Sequence, residues 1–235
     1  MRVDADHEHA IEDTSTKAPP NTPVSAASTP TPTDPTLAAF HDEIVTRGSF
    51  SQDWVTTRFA TWHPVFEGLE NRPTQILEIG SFEGLSACYL LWKLPEAHIT
   101  CIDPFIGIPE HAGIDTPELE EIFDANVALV DPSRVRKLVG SSMHRLLDLA
   151  AEEASFDLMY VDGSHLGLDV LVDASLSWQI LAPGGVIVFD DYRWNYLGDD
   201  PLLRPGKAID AFREVIEGTY ELLFADEQVA LRKSS

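Results

Sequence analysis

Ile76-Leu77-Glu78-Ile79-Gly80-Ser81-Phe82-Glu83-Gly84 is the stretch that decides the fold of this 235-residue chain. A short apolar run carries an acid near its end, two glycines spaced four apart follow, and a helical pattern runs from Leu85 to Trp92. The pattern predicts the first strand, turn and helix of a nucleotide-binding α/β sheet. Its glycines let the backbone turn sharply and let a ligand approach closely. A turn that cradles phosphates would carry G-x-G-x-x-G at this point. Glu78 stands instead where the first glycine would be. An anion is unfavourable beside a pyrophosphate and welcome beside a cation. The turn is therefore read as facing a positively charged ligand, against the plainer alternative of a strand–turn–helix with an incidental acid.

Working outward, apolar runs predict strands at 74–79, 98–103, 134–139, 156–161 and 185–190. Helical patterns at 84–93, 117–130, 142–151, 166–181 and 207–217 fall between and after them. Such alternation predicts a parallel sheet with right-handed crossovers. Tyr220–Phe224 and Gln228–Arg232 flank Ala225-Asp226-Glu227 and read as an antiparallel hairpin. The expected fold is thus α/β, a Rossmann-like, seven-stranded and mostly parallel sheet with helices on both faces and a C-terminal antiparallel hairpin.

Residues 1–36 are rich in Thr, Ser, Pro and Ala and nearly free of large apolar side chains. They cannot bury enough surface to offset the entropy of ordering, so they read as a disordered tail. The domain is expected over 37–235, with a helical extension at 37–70. Within that extension Val55, Phe59, Trp62 and Phe66 recur as one helix face, with Asp53 as N-cap and Pro64 near the end.

The second strand ends in Thr100-Cys101-Ile102-Asp103-Pro104. Ligands of open α/β sheets lie beyond the carboxyl ends of the strands, where Asp103 could accept hydrogen bonds from both ribose hydroxyls. An acid that merely ends a strand is the competing reading. Taken with Glu78, Asp103 points to a nucleoside that also carries positive charge. S-adenosylmethionine, with its ammonium and sulfonium groups, fits.

The fourth strand runs out into Asp162-Gly163-Ser164-His165 and the fifth into Asp190-Asp191-Tyr192. If these strands are neighbours, three carboxylates meet at one edge and raise one another's pKa values. A divalent cation would relieve that conflict. An all-oxygen set of this kind suits Mg²⁺, Mn²⁺ or Ca²⁺, whereas no Cys/His spacing supports Zn²⁺. The alternative has Asp162 on the nucleoside side and Asp190-Asp191 capping a loop. His165 could accept a proton beside such a metal, or could simply cap a helix.

The formal charge of −23 and the absence of a basic stripe argue against nucleic acid and anionic membranes as partners. No run of eighteen apolar residues is present and Met1–His9 lacks a signal pattern, so a cytoplasmic location is expected. Cys88 and Cys101 read as buried free thiols. A homo-oligomer is compatible with all of this.

With these residues in hand, the chain resembles the class I S-adenosylmethionine-dependent methyltransferases. It looks most like a small family with Asp-Gly-Ser-His and Pro-Gly-Gly-x-Ile-x-Phe-Asp-Asp-Tyr signatures, related to metal-dependent catechol and macrolide-sugar O-methyltransferases. The resemblance covers residues 50–232. It implies that Glu78, Gly80, Ser81, Phe82 and Ser86 form the methionine end of the cofactor site. Asp103 would hold the ribose, and Ser142 and Met143 the adenine. It makes Asp162, Asp190 and Asp191 the metal ligands and His165 the general base, acting on a small-molecule hydroxyl acceptor. The loop Phe105–Pro117 and the aromatic loop Tyr192–Gly206 match no substrate pocket of that family. Trp54, Trp62, Tyr192, Trp194 and Tyr196 could wall an acceptor pocket. Metal-independent methyl transfer and a catalytically silent cofactor-binding module remain as rival readings.

Overall fold

Asp34 is the first described residue of the chain. Its carboxylate accepts from the backbone N–H groups of Thr36 and Leu37 at 2.7 and 3.2 Å, and so caps helix α1 (Pro35–Phe40), which continues into a π-helical turn at His41–Val45. The computed structural model describes residues 34–54, 58–106, 118–195 and 200–235. Most of the expected tail, all but its last three residues, lies outside these described residues.

The single helix expected over 53–66 does not form. A 3₁₀ turn at Phe59–Thr61 is followed by a separate short helix, α2 (His63–Phe66). Pro64 sits in the first turn of α2, where its missing N–H costs no hydrogen bond, and does not end the helix as expected. Phe59, Trp62 and Phe66 are nevertheless all buried, while Val55 lies outside the described residues.

The rest alternates as expected: β1 (Thr74–Ile79), α3 (Leu85–Lys93), β2 (Ala97–Asp103), α4 (Leu119–Val127), β3 (Val135–Val139), α5 (Ser142–Ala151), β4 (Phe156–Val161), α6 (Gly167–Ile180), β5 (Leu181–Phe189), α7 (Pro205–Val215), β6 (Tyr220–Ala225) and β7 (Val229–Lys233). The strands join one seven-stranded sheet in the order β3-β2-β1-β4-β5-β7-β6. The pairs β3–β2, β2–β1, β1–β4 and β4–β5 are parallel, and β5–β7 and β7–β6 are antiparallel. Strand order reverses direction between β1 and β4, which is where a ligand crevice opens in such sheets.

Period-two alternation sends neighbouring side chains to opposite faces. Ile76, Leu158, Tyr160 and Val188 pack under α1, α3, α4 and the Phe59–Leu69 segment. Leu77, Ile79, Met159, Val161 and Ile187 pack under α5, α6 and α7. Cover on both faces explains why the central strands read as continuous apolar runs. Cys88 and Cys101 are buried free thiols, as expected. Among the described residues no helix is long and apolar enough to cross a membrane.

Trp62 ties the N-terminal segment to the sheet. It is fully buried, its ring lies 5.3 Å from that of Tyr160, and its indole N–H donates to Gln228 Oε1 at 2.7 Å. Trp62→Ala should therefore cost about 3–5 kcal/mol of stability in urea unfolding. Trp62→Phe keeps most of the ring contact but strands Gln228, at a cost of about 1–3 kcal/mol. An unchanged midpoint in both variants would show that the segment does not support the sheet.

Candidate active site

Four backbone hydrogen bonds align the carboxyl ends of the parallel strands. Gly140 N–H donates to Asp103 O at 3.0 Å, Gly80 to Ile102 at 2.9 Å, Asp162 to Ile79 at 2.8 Å and Asp190 to Val161 at 2.9 Å. The residue that follows each strand thus reaches the same edge of the sheet. A cavity of about 1140 Å³ lies along that edge, large by the standards of small-molecule sites.

Gly80 is the pivot of its floor. Its φ is +85°, and a Cβ there would stand 2.0 Å from the carbonyl oxygen of Asp162. Only glycine fits between β1 and β4. Ser81, Phe82 and Ser86 line the cavity beside it. Glu78 does not line the wall. It lies one layer behind, fully buried, and no described group hydrogen-bonds to either carboxylate oxygen. Burial pushes its carboxyl up to about 7, with nearby Ser81 and Ser86 pulling the other way. A cationic group seated in front of Ser81 and Ser86 would restore the charged form through a short, low-dielectric path.

Asp103 lines the cavity too, but most of its carboxylate is engaged by the protein. Oδ2 accepts from the N–H groups of Ser81 and Phe82, each at 2.8 Å, and Oδ1 from Phe105 N–H at 2.6 Å. These bonds brace the glycine turn and hold Phe82 at φ +45°. A carboxylate offers about four acceptor positions, so little capacity remains for a ribose. Ser142 and Met143, at the start of α5, form the far end of the cavity. Asp173 on α6 faces the same end. Burial raises its carboxyl to about 6, with Ser142 opposing the shift.

Asp162, Asp190, Asp191 and His165 lie at the other end of the cavity, within a net of protein contacts. Asp190 Oδ1 accepts from Arg58 Nη1 and from the Asp191 backbone N–H, both at 2.7 Å. Its Oδ2 accepts from Gln228 Nε2 at 3.0 Å and from the Tyr160 hydroxyl. Tyr160 OH also reaches Asp162 Oδ2 at 3.1 Å. Asp191, at φ +55°, pairs Oδ1 with Arg58 Nη2 at 3.3 Å and Oδ2 with His165 Nε2 at 2.8 Å. The His165 ring stacks on Trp194 with centroids 4.4 Å apart.

Burial, then the neighbouring carboxylates, raises the pKa of Asp162 well above the usual range and also raises that of Asp190. Burial works against the charge of Arg58, but Asp190 and Asp191 outweigh it and hold its pKa above the usual arginine value. The cation amid the three carboxylates is thus Arg58. Among the described residues no group of three or more His, Cys, Asp or Glu is gathered in a form that could hold a metal ion.

Of the aromatic residues expected around an acceptor, Trp54 and Trp194 line the cavity. Trp62 packs in the core, and Tyr192 turns to Asp210, donating its hydroxyl at 2.9 Å. Tyr196 and most of the Phe105–Pro117 loop lie outside the described residues. Arg58, Tyr160, Asp173 and Gln228 escape the sequence reading. Tyr160 alone carried a usable signal, two residues before Asp162 on the same face of β4.

Comparison with known proteins agrees with this fold. Residues 77–192 match the model of a family described as a methyltransferase domain. An uncharacterized protein of Acanthamoeba polyphaga mimivirus is 29% identical over 147 residues, covering 57% of this chain and 63% of that protein. The match thus spans less than two thirds of the relative's length. Among solved structures, the methyltransferase MycE of the mycinamycin biosynthetic pathway, in complex with Mg, SAH and mycinamycin VI, matches with TM-score 0.61 and 18% identity over 86% of this chain and 56% of that one. The O-methyltransferase from Bacillus cereus in complex with SAH matches with TM-score 0.57 and 18% identity over 86% and 92%. At such identities the likeness establishes the fold, a Rossmann-like methyltransferase sheet with antiparallel strands at its C-terminal edge.

Glu78 generates a test with two opposed readouts. The folded chain holds its proton more tightly than the unfolded chain. Its contribution is therefore fully present below about pH 4.5 and is lost as pH rises through about 7. Ligand-free Glu78→Gln should then be more stable than wild type at pH 8, by up to about 3 kcal/mol, with little difference at pH 4.5. The same variant should bind S-adenosylhomocysteine more weakly. Denaturant unfolding at the two pH values and calorimetry measure both effects. A variant less stable at pH 8 would contradict the assigned burial of charge.

Proposed function

We propose that the protein is an S-adenosylmethionine-dependent methyltransferase that methylates an oxygen of a small hydroxylated acceptor, in the cytoplasm, with a divalent cation bound by Asp162, Asp190 and Asp191. The observation that carries the reading is Glu78, a buried carboxylate with no hydrogen-bond partner among the described residues, set behind the glycine turn of a cavity whose opposite end holds a His–Asp pair. The first feature calls for a cationic ligand. The second supplies a proton acceptor.

Bound S-adenosylmethionine supplies a methyl group on a positively charged sulfur, and transfer leaves neutral S-adenosylhomocysteine and a methyl ether. The residues at the Gly80 turn hold the charged end, while Ser142 and Met143 hold the base. With Asp191 fixing Nε2, the imidazole of His165 is oriented as in other His–carboxylate pairs, leaving Nδ1 to take the acceptor's hydroxyl proton. Asp191 then stabilises the imidazolium. The stacked Trp194 limits rotation of the ring and shields it from water. A hard cation such as Mg²⁺ or Mn²⁺ held by these carboxylates would lower the hydroxyl pKa and orient the acceptor, but Asp190 and Asp191 as they stand are paired with Arg58, and the described side chains are not gathered for one. Methyl transfer is otherwise a matter of positioning. The Mg bound in the MycE complex supports the metal in this scheme. A second reading, transfer without metal, is favoured by the Arg58 guanidinium bound to Asp190 and Asp191.

Calorimetry should find binding of S-adenosylhomocysteine and none of NAD. His165→Ala should keep that affinity and reduce turnover of a screened hydroxyl acceptor by about a hundredfold or more. Turnover should stop in EDTA and return with Mg²⁺ or Mn²⁺, whereas full activity in chelator would select the metal-free reading. Binding of NAD with no response to S-adenosylhomocysteine would end the assignment altogether.

A further inference from the structure

Helix α6 carries a charged group on a buried face that is otherwise largely apolar. Val170, Ala174, Trp178 and Ile180 pack into the core, and Asp173 sits among them at 2% exposure. A carboxylate so far withdrawn from water is costly unless hydrogen bonds satisfy it. The Ser142 hydroxyl, at the start of α5, is the hydrogen-bonding group beside it among the described residues. Asp169, one turn earlier on α6, adds only repulsion there, and its own carboxylate accepts from Ser164 Oγ at 2.9 Å. A carboxylate offers about four acceptor positions, so most of the capacity of Asp173 is unused. Asp173, Ser142, Met143 and Gly163 line one end of the cavity, and a Cβ on Gly163 would stand 3.8 Å from Asp173 Oδ2. The carboxylate thus lies between the turn after β4 and the start of α5. Burial raises its carboxyl to about 6, so at pH 8 it is charged and accepts hydrogen bonds without donating any.

From this placement we infer that Asp173 is a specificity-determining residue of the cofactor site: it accepts a hydrogen bond from the exocyclic amino group of the base and so selects a 6-aminopurine over a 6-oxopurine. The inference rests on the reading of this end of the cavity as the base end of an S-adenosylmethionine site. Adenine offers an N6 amino donor at the position where a 6-oxopurine offers an acceptor. The amino group meets the unused capacity of the carboxylate. A 6-oxygen sets one acceptor against another and leaves a buried charge unpaired, which is costly. Sites built around a buried polar group discriminate strongly for this reason. Ser142 keeps its bond to Asp173 with either base, so it fixes the carboxylate and does not read the base. Asp173 acts on affinity for the cofactor, far from the methyl group that is transferred.

Calorimetry on the full chain tests this with S-adenosylhomocysteine, its 6-oxo analogue S-inosylhomocysteine, and the analogue with hydrogen in place of the 6-amino group. The last removes the donor and adds nothing in its place. Wild type should bind S-adenosylhomocysteine about tenfold or more tightly than either analogue, the difference expected of one hydrogen bond to a charged acceptor. Asp173→Asn keeps the shape of the side chain and can turn an amide N–H toward a 6-oxygen. It should bind the 6-oxo analogue more tightly than wild type does, and its preference for S-adenosylhomocysteine over that analogue should fall by about tenfold or more. A residue that only braces α5 would change the affinity for all ligands by one factor, and that result would overturn the inference. A preference that survives unchanged in Asp173→Asn would place the contact elsewhere and overturn it too. Equal binding of all the ligands by wild type would do the same, and this arm needs no variant. If wild type binds none of them, the cofactor reading itself falls and the role of Asp173 with it.

Discussion

Negative charge withdrawn from water at the carboxyl ends of β1, β4 and β5 is the constraint on which the rest of this molecule depends. An isolated buried carboxylate is costly, and it neutralises or finds a partner. Two solutions stand side by side at one edge of the sheet. Asp190 is saturated by four donors, among them the Arg58 guanidinium. Glu78 has none among the described residues, and its carboxyl is pushed up to about 7. The first arrangement serves the protein at rest. The second leaves an unmet electrostatic demand behind the glycine turn, one that the cationic ligand of the proposed function would answer.

The N-terminal segment takes part in this charge balance. Trp62 donates to Gln228, Gln228 donates to Asp190, and Arg58 bridges Asp190 and Asp191. A single short stretch therefore contributes an aromatic anchor to the core and a cation to the site. Loss of packing at Trp62 would be felt at Asp190 through Gln228. Stability and site geometry are coupled here by hydrogen bonds that all lie on one face of the sheet.

The strands of the sheet were legible because cover on both faces demands continuous apolar runs, and the runs at 74–79 and 156–161 mark β1 and β4 to the residue. β5 was harder. It begins at Leu181, ahead of Pro183-Gly184-Gly185, through a register shift between Phe156 and Leu158 of its partner. Proline and glycines read as a turn in sequence, yet an irregular strand end accepts them. The acids at the site were legible from their place at strand ends. Their partners were not. Arg58 and Gln228 are separated from Asp190 by 132 and 38 residues, and no local pattern reveals which donor a buried carboxylate will find. The expected helix over 53–66 failed for a related reason: burial of Phe59, Trp62 and Phe66 on the sheet decided their positions, and helical periodicity was only one way to achieve it.

The central claim is that the site recognises a nucleoside through a positive charge placed before Glu78. Its most direct measurement compares the affinity of S-adenosylhomocysteine with that of 5′-methylthioadenosine, which shares the nucleoside and thioether but lacks the amino-acid end with its ammonium and carboxylate, so that the change on Glu78→Gln isolates the ammonium. The account predicts that wild type strongly prefers S-adenosylhomocysteine at pH 8 and that Glu78→Gln loses most of this preference. Equal affinity of wild type for the two ligands, or a preference untouched by Glu78→Gln, would contradict it.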